Sequence, residues 1–448
     1  MFDIRDNVLS YPDQAMFLAA RGADHDAAIQ VCWHYRRPID LAAVKRVHGD
    51  LGHGLMGRRI ELSPLPFGRH RWVSVPGPQC DLDIAESPRP PSEVFEFADE
   101  QVNLPLDPER GPAWRLAVQP FTDGSTAVLL TVSHCVADGT AVFSGVCDAV
   151  AGRGRDLHYP TPHARSRANA LRSDVSRTLR DVPEIGRGLA KAVRLAFGTR
   201  PVGRSGSSVP EPSGGGERVR VPSVAVAVDA DAFDNRAEGL GGNSHSLVAG
   251  FAVKLAERLG RVRADDGAVT LMIPVSQRHS ADDTGGNVVS IARVGLDPRN
   301  IAQDLAGARR QIGRAVVSAS DTPDGMVGLL PLVPFVPMRA VGYLADMAFG
   351  FTADVPVSCS NVGELPCELL RVDGTEAEFF WARGMDRNIT RNALERRSGV
   401  LTVASARIGG KVVLVVIGYL PGQENSRASL MEAIGQTLSD FTLTGVTQ

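Results

Sequence analysis

The feature that most constrains this chain is an apolar strand that ends in reactive chemistry. Residues 126–133 read Thr-Ala-Val-Leu-Leu-Thr-Val-Ser and pass directly into His134-Cys135-Val136-Ala137-Asp138-Gly139. A second β-rich segment covers 113–120, and Thr122-Asp123-Gly124-Ser125 joins the two, so together they predict a hairpin. A histidine at the end of a buried strand sits on a rigid element and can project into a cleft. Its ordinary pKa, about 6.5, suits proton abstraction near neutral pH. From these residues alone a plainer reading stands beside that one. His134 could be a hydrogen-bonded strand-end histidine, Asp138 the N-cap of a helix predicted over 139–151, and Gly139 a turn residue.

The chain has 448 residues, more than one core usually accommodates, which points to two domains. The composition breaks once. Gly203-Arg204-Ser205-Gly206-Ser207-Ser208 is followed by Pro210, Pro212 and Gly214-Gly215-Gly216, the make-up of a flexible linker. We therefore expect an N-terminal lobe over 1–200 carrying the histidine segment, a linker over 201–217, and a C-terminal lobe over 218–448. Before the break, 40–53 reads as an amphipathic helix, 58–62 as a short strand, and 168–197 as a long arginine-rich helix. After it, helices are expected at 244–259, 299–318 and 427–444. Strands are expected at 268–274, 287–296, 354–360, 375–383, 398–406 and 411–419. Strands and helices mix without strict βαβ alternation, which argues for α/β lobes of the α+β sandwich kind.

Several function classes fall away. A net charge of −3 gives no general footprint for nucleic acid. No run of about 18 apolar residues could span a bilayer, and the N-terminus lacks a signal-peptide pattern, so a cytoplasmic location with at most peripheral membrane contact is expected. The six cysteines are scattered with no CxxC pair, which disfavours a disulfide framework or a zinc site. No histidine constellation suggests another metal. Gly52-His53-Gly54-Leu55-Met56-Gly57 matches GxGxxG, but a helix precedes it and a strand follows, the reverse of a dinucleotide fingerprint. Cys135 is a poor nucleophile candidate, since nothing near it in sequence would lower its pKa. Two segments keep two readings each. The basic helix at 168–197 suits a membrane surface or an acidic carrier, or is simply a solvated interdomain helix. The apolar, proline-punctuated stretch 326–338 suits either a tunnel wall for an acyl chain or a buried core segment.

Context sharpens the histidine. Upstream lie Leu9-Ser10-Tyr11-Pro12-Asp13-Gln14-Ala15-Met16-Phe17 and the 104–115 segment from Leu104-Pro105-Leu106-Asp107 to Trp114-Arg115. Downstream lie Pro274-Val275-Ser276-Gln277-Arg278, Gly285-Gly286-Asn287 and Ser358-Cys359-Ser360-Asn361-Val362-Gly363. In this order the segments resemble the CoA-dependent acyltransferase superfamily. That superfamily holds chloramphenicol acetyltransferase, condensation domains, polyketide-associated acyltransferases and the wax ester synthase/diacylglycerol acyltransferases. The resemblance runs from about residue 9 to 440. It implies two chloramphenicol acetyltransferase-like lobes with an active-site tunnel between them and the histidine motif midway along it. It further implies His134 as the catalytic base, with Asp138 and Gly139 structural at the site. Asp138 would pair with Arg278. Ser360, Asn361 and Asn287 would contact substrate, Asn361 through its amide at a developing oxyanion, although a turn role for either asparagine is equally open. Trp114 would pack in the core or line the tunnel. Many relatives carry two consecutive histidines; here Ser133 stands in place of the first.

The activity implied is transfer of an acyl group from a thioester to the hydroxyl of a lipid or natural-product acceptor. No bound cofactor is implied, and acyl-CoA or a phosphopantetheine thioester serves as co-substrate. An acyl-carrier protein or synthase is a potential partner. Two alternatives remain: an amide-forming, condensation-type enzyme with an amine acceptor, and a non-catalytic homologue that only binds a carrier. The absence of an attached carrier domain favours the hydroxyl acceptor. The intact His134, Asp138, Gly139 and Arg278 disfavour the non-catalytic reading.

Overall fold

The computed structural model describes residues 7–22, 26–198, 216–278, 283–321, 327–337, 341 and 355–448. The predicted linker therefore lies, except for its last two residues, outside the described residues. In the first half, helices α1 (Tyr11–Gly22), α2 (Leu41–Leu51), α3 (Val94–Val102), α4 (Gly139–Val150) and α5 (Arg167–Gly198) accompany strands β1 (Ala27–Tyr35), β2 (Arg58–Glu61), β3 (Arg71–Ser74), β4 (Asp83–Ile84), β5 (Trp114–Pro120) and β6 (Thr126–Ser133). In the second half come β7 (Ser223–Asp229), α6 (Ala230–Gly239), α7 (Ser244–Arg258), β8 (Val269–Ser276), β9 (Val289–Leu296), α8 (Ala306–Asp321), β10 (Val357–Glu364), β11 (Phe379–Asp386), β12 (Val400–Ile408), β13 (Lys411–Tyr419) and β14 (Val446–Thr447). A closing helix spans Arg427–Asp440.

The expected hairpin forms for the expected reasons. Strands β5 and β6 pair antiparallel. In the turn between them Asp123 Oδ1 accepts from the Ser125 N–H and hydroxyl, and Gly124 takes a positive φ of 85°, a conformation that favours glycine. All eight residues of β6 are buried, because it lies inside a five-stranded sheet of order β11-β1-β6-β5-β4. Helices α2 and α4 pack against each other, and α3 packs against β1 and β6. A seven-stranded sheet of order β14-β7-β13-β12-β10-β8-β9 carries the second half, with α7 packed on β10, β8 and β12. The architecture is α/β, in two lobes.

Two features join the halves. Strand β11 belongs to the second half of the chain yet forms the edge of the first sheet, pairing antiparallel with β1 from Ala27↔Asp386 to His34↔Phe379. Strands β7 and β13 are apolar on both faces. Val412, Leu414 and Val416 enter the second core while Val413 and Val415 enter the first; Val224 and Val226 divide from Ala225 and Ala227 in the same way. The period-two alternation of a strand thus feeds two cores at once, and each valine fully buried contributes about 1.5–3 kcal/mol.

The proline-punctuated stretch forms a 3-10 segment, Val327–Phe335, packed against α1 and α5. Its Val333 clusters with Ala19 and Val341. No helix among the described residues is long and apolar enough to cross a membrane.

Candidate active site

The His134 segment is held by backbone and side chains from four separate places. At the end of β6 the His134 N–H donates to the Ala27 carbonyl of β1 at 2.9 Å, and Ser133, fully buried, donates its N–H to the Ala113 carbonyl. The Asn287 Nδ2 donates to the His134 carbonyl at 3.0 Å and to Asp13 Oδ1 at 3.1 Å. Asp13, on the first turn of α1 and fully buried, also accepts from the N–H groups of Gly286 and Asn287 at 3.2 and 2.7 Å and from the Ser10 hydroxyl at 2.8 Å. One carboxylate thereby fixes the loop that fixes His134.

Asp138 is the N-cap of α4, with Oδ1 accepting from the Ala141 N–H at 2.9 Å. Its other oxygen accepts from Arg278 Nη2 at 2.9 Å and from the Val288 N–H at 3.1 Å. Both side chains of this pair are buried, so each charge depends on the other and on its hydrogen bonds for stability. Arg278 also donates to the carbonyls of Asp283 and Gly285, both at 2.9 Å. Arg58, fully buried, donates to the carbonyls of Thr284 and Val136 and stacks over the Trp72 ring at 4.1 Å. Two buried guanidinium groups therefore clamp the 283–286 loop against the histidine loop. Burial lowers the pKa of Arg58.

His134 opens onto a cavity of about 360 Å³ between the sheets. Ala27 and Ile29 of β1, Gly139 and Phe143 of α4, and alternate residues Ser358, Ser360 and Val362 of β10 line it, with further walls from β11 and β12. The lining is mostly apolar. The His134 Nδ1 is buried without a hydrogen-bond partner among the described residues. Cys135 beside it is fully buried, and burial pushes its thiol up to about 12, so it is protonated at neutral pH.

Comparison with known proteins bears on what such a cavity serves. The wax ester synthase/diacylglycerol acyltransferase catalytic domain matches residues 51–215. A Mycobacterium tuberculosis protein described as a probable diacylglycerol O-acyltransferase is 26% identical over 318 residues, 62% of this chain and 67% of that one. A second M. tuberculosis protein, also described as a diacylglycerol O-acyltransferase, is 26% identical over 267 residues, about half of either chain. Among solved structures, the first condensation domain of the calcium-dependent antibiotic synthetase superposes with a TM-score of 0.57 at 18% identity, covering 98% of this chain and 97% of that one. Polyketide synthase associated protein 5 from M. tuberculosis superposes at 0.52 with 15% identity, covering 96% of each. These structural likenesses show the fold.

Residues 51–215, which carry His134 and Asp138, match the wax ester synthase/diacylglycerol acyltransferase catalytic domain, and the fold is that of the condensation domains.

The relatives that the chain resembles in sequence are described as diacylglycerol O-acyltransferases. Its structure brings His134, Gly139 and Ser360 to one cavity, with the Asp138–Arg278 pair directly behind the histidine loop. The two asparagines expected at substrate are placed differently. Asn361 does not line the cavity, because strand alternation turns it away from the face that Ser360 and Val362 present, and its Oδ1 accepts from the Gly363 N–H at 2.9 Å. Asn287 is buried behind the histidine loop, where its amide positions the His134 carbonyl. Trp114 is fully buried and donates its indole N–H to the Met56 carbonyl at 2.9 Å. Nor do the described residues of the 326–338 stretch line the cavity.

Sequence reasoning missed Asp13 and Arg58. Asp13 carried one signal, the Ser10-x-x-Asp13 spacing at a helix start, in which the Asp13 N–H donates back to the Ser10 hydroxyl at 3.2 Å. Arg58 carried none, in a chain so rich in arginine.

Proposed function

We propose that the chain transfers an acyl group from acyl-CoA or a carrier-bound phosphopantetheine thioester to the hydroxyl of a lipid or natural-product acceptor, with His134 as general base. The observation that carries this reading is the placing of His134: fixed at both backbone ends and facing a largely apolar cavity. The imidazole takes the acceptor hydroxyl's proton as the oxygen attacks the thioester carbonyl. A tetrahedral intermediate collapses, the C–S bond breaks, and the imidazolium returns the proton to the departing thiolate. Gly139, first residue of α4, lines the cavity, so the positive end of that helix faces the negative charge developing on the carbonyl oxygen. Ile29, Phe143, Val362 and Leu401 offer apolar surface to an acyl chain. Six free cysteines agree with a reducing, cytoplasmic setting.

The test incubates the protein with acyl-CoAs of graded chain length and panels of alcohols and amines, with products read by mass spectrometry. Ester formation is expected, and His134→Ala should lower kcat by about 10²–10⁴-fold while the melting temperature stays that of the wild type. Unchanged turnover in a folded His134→Ala would refute the mechanism, and amide products in place of esters would refute the hydroxyl acceptor.

A further inference from the structure

Helix α5 has three distinct faces, and the fold accounts for one of them. On the packed face Asp174 is paired with Arg71 at 2.9 Å and Arg165 at 3.1 Å, and Asp181 with Arg69 at 3.3 Å. Gly188 lies on the same side, where an added Cβ would come within 3.3 Å of Leu332 in the 3-10 segment. A second face carries Leu171, Val175, Leu179, Val182, Leu189 and Val193, spaced three, four or seven apart and so aligned in one stripe. These six are between 42% and 66% exposed. The third face, beside the stripe, carries Arg172, Arg180, Arg187 and Arg194, all exposed. Of the helix's acidic residues only Glu184 is exposed, since Asp174 and Asp181 are buried in their ion pairs.

A row of exposed leucine and valine this long calls for a covering surface. It runs about 33 Å from Leu171 to Val193 at 1.5 Å per residue. The basic row beside it stands out in a chain whose net charge is −3. A second exposed apolar pair joins the segment packed against α5 to the loop between β2 and β3: Phe335, 48% exposed, stacks on Phe67, 41% exposed, with ring centroids 5.6 Å apart. An acidic protein would satisfy the arginines but gives no reason for the aliphatic row. A helix lying in the plane of a bilayer interface needs both, apolar side chains at the acyl boundary and arginines at the phosphates. We propose that α5 docks the protein flat on an anionic phospholipid surface. The inference does not depend on the acyl-transfer chemistry, because binding is measured without turnover.

The test sediments the full-length protein with vesicles of phosphatidylcholine alone and of phosphatidylcholine mixed with phosphatidylglycerol. The partition coefficient for the anionic vesicles should exceed that for the neutral ones by at least about tenfold and fall with added salt. Leu179→Asp with Leu189→Asp should lower binding to anionic vesicles about tenfold or more. Arg180→Gln with Arg187→Gln should remove most of the preference for the anionic lipid. All four side chains are exposed, so circular dichroism and melting temperature should match the wild type in both variants. Wild-type protein that stays in solution with both vesicles would overturn the proposal, as would variants that sediment like the wild type. Binding to an acidic carrier protein without binding to vesicles would overturn it too.

Discussion

His134 owes part of its position to Asn287 and Asp13, which do not line the cavity. Asn287 spans from Asp13 to the His134 carbonyl, and its own Oδ1 is buried without a partner among the described residues. Asn287→Ala should therefore lower kcat about tenfold or more with little change in KM, since it loosens the base and not a substrate contact. Steady-state kinetics on the folded variant separates the two; a rise confined to KM would mean that Asn287 binds substrate. Asp138 carries a heavier structural duty, capping α4 and pairing with Arg278. Asp138→Ala leaves the guanidinium buried without its carboxylate and should cost about 3–5 kcal/mol, visible in urea denaturation. Cost of that size would make Asp138→Ala a folding lesion before a catalytic one. The role of Asp138 as N-cap was legible from Asp-Gly after an apolar strand. That Asn287 works from behind was not, because asparagine spacing says nothing about which side of a loop faces a cavity.

At the scale of elements, α1 is docked through His70, just before β3. His70 is buried, meets Phe17 of α1 edge-on at 5.3 Å, and accepts from the Ser63 N–H through Nδ1 at 3.1 Å. Burial lowers its pKa to about 4, with Arg21 adding to the shift. The unfolded value is about 6.5, so between those limits the unfolded chain binds more protons than the folded one. The resulting stability is complete above about pH 6.5 and is lost as pH falls toward 4, by at most about 3 kcal/mol. Urea midpoints at pH 7.5 and 4.5 should converge in His70→Gln relative to wild type; equal pH dependence in both proteins would rule the histidine out as the source. Element positions were readable where local chemistry sets them, as in β6 and α5. They drifted where tertiary bonds intervene. Helix α8, expected from 299, begins at Ala306, after Leu305 has donated its N–H to the distant Leu240 carbonyl and Asp304 Oδ1 has accepted from the Ala306 N–H. Strand β11, expected at 375–383, is found at Phe379–Asp386, because its bounds follow from pairing with β1.

For the whole molecule the decisive fact is that the two lobes share interior. Strand β11 completes the first sheet, and its fully buried Arg383 donates to Gln30 Oε1 at 2.9 Å and to Asp99 Oδ1 at 2.7 Å in the first half and to the Ser223 hydroxyl in the second. Together with the two-faced β7 and β13, this should make unfolding a single cooperative transition in calorimetry. Two resolved transitions would show that the shared strands do not couple the lobes. Asp99→Ala, which strands the Arg383 charge, should lower the one transition without splitting it.

Local sequence set the hairpin, the strand that delivers His134 and the capping aspartate, and its ordered motifs carry the resemblance to the acyltransferase superfamily. Each rests on residues near one another in the chain, where periodicity, turn chemistry and capping act directly. Long-range packing is what makes Asp13 hold the 286–287 loop, turns Ser360 and not Asn361 to the cavity, and closes the first sheet with a strand of the second half. Those outcomes depend on which distant segments meet and which face of a strand is turned inward, and burial, not spacing, selects them.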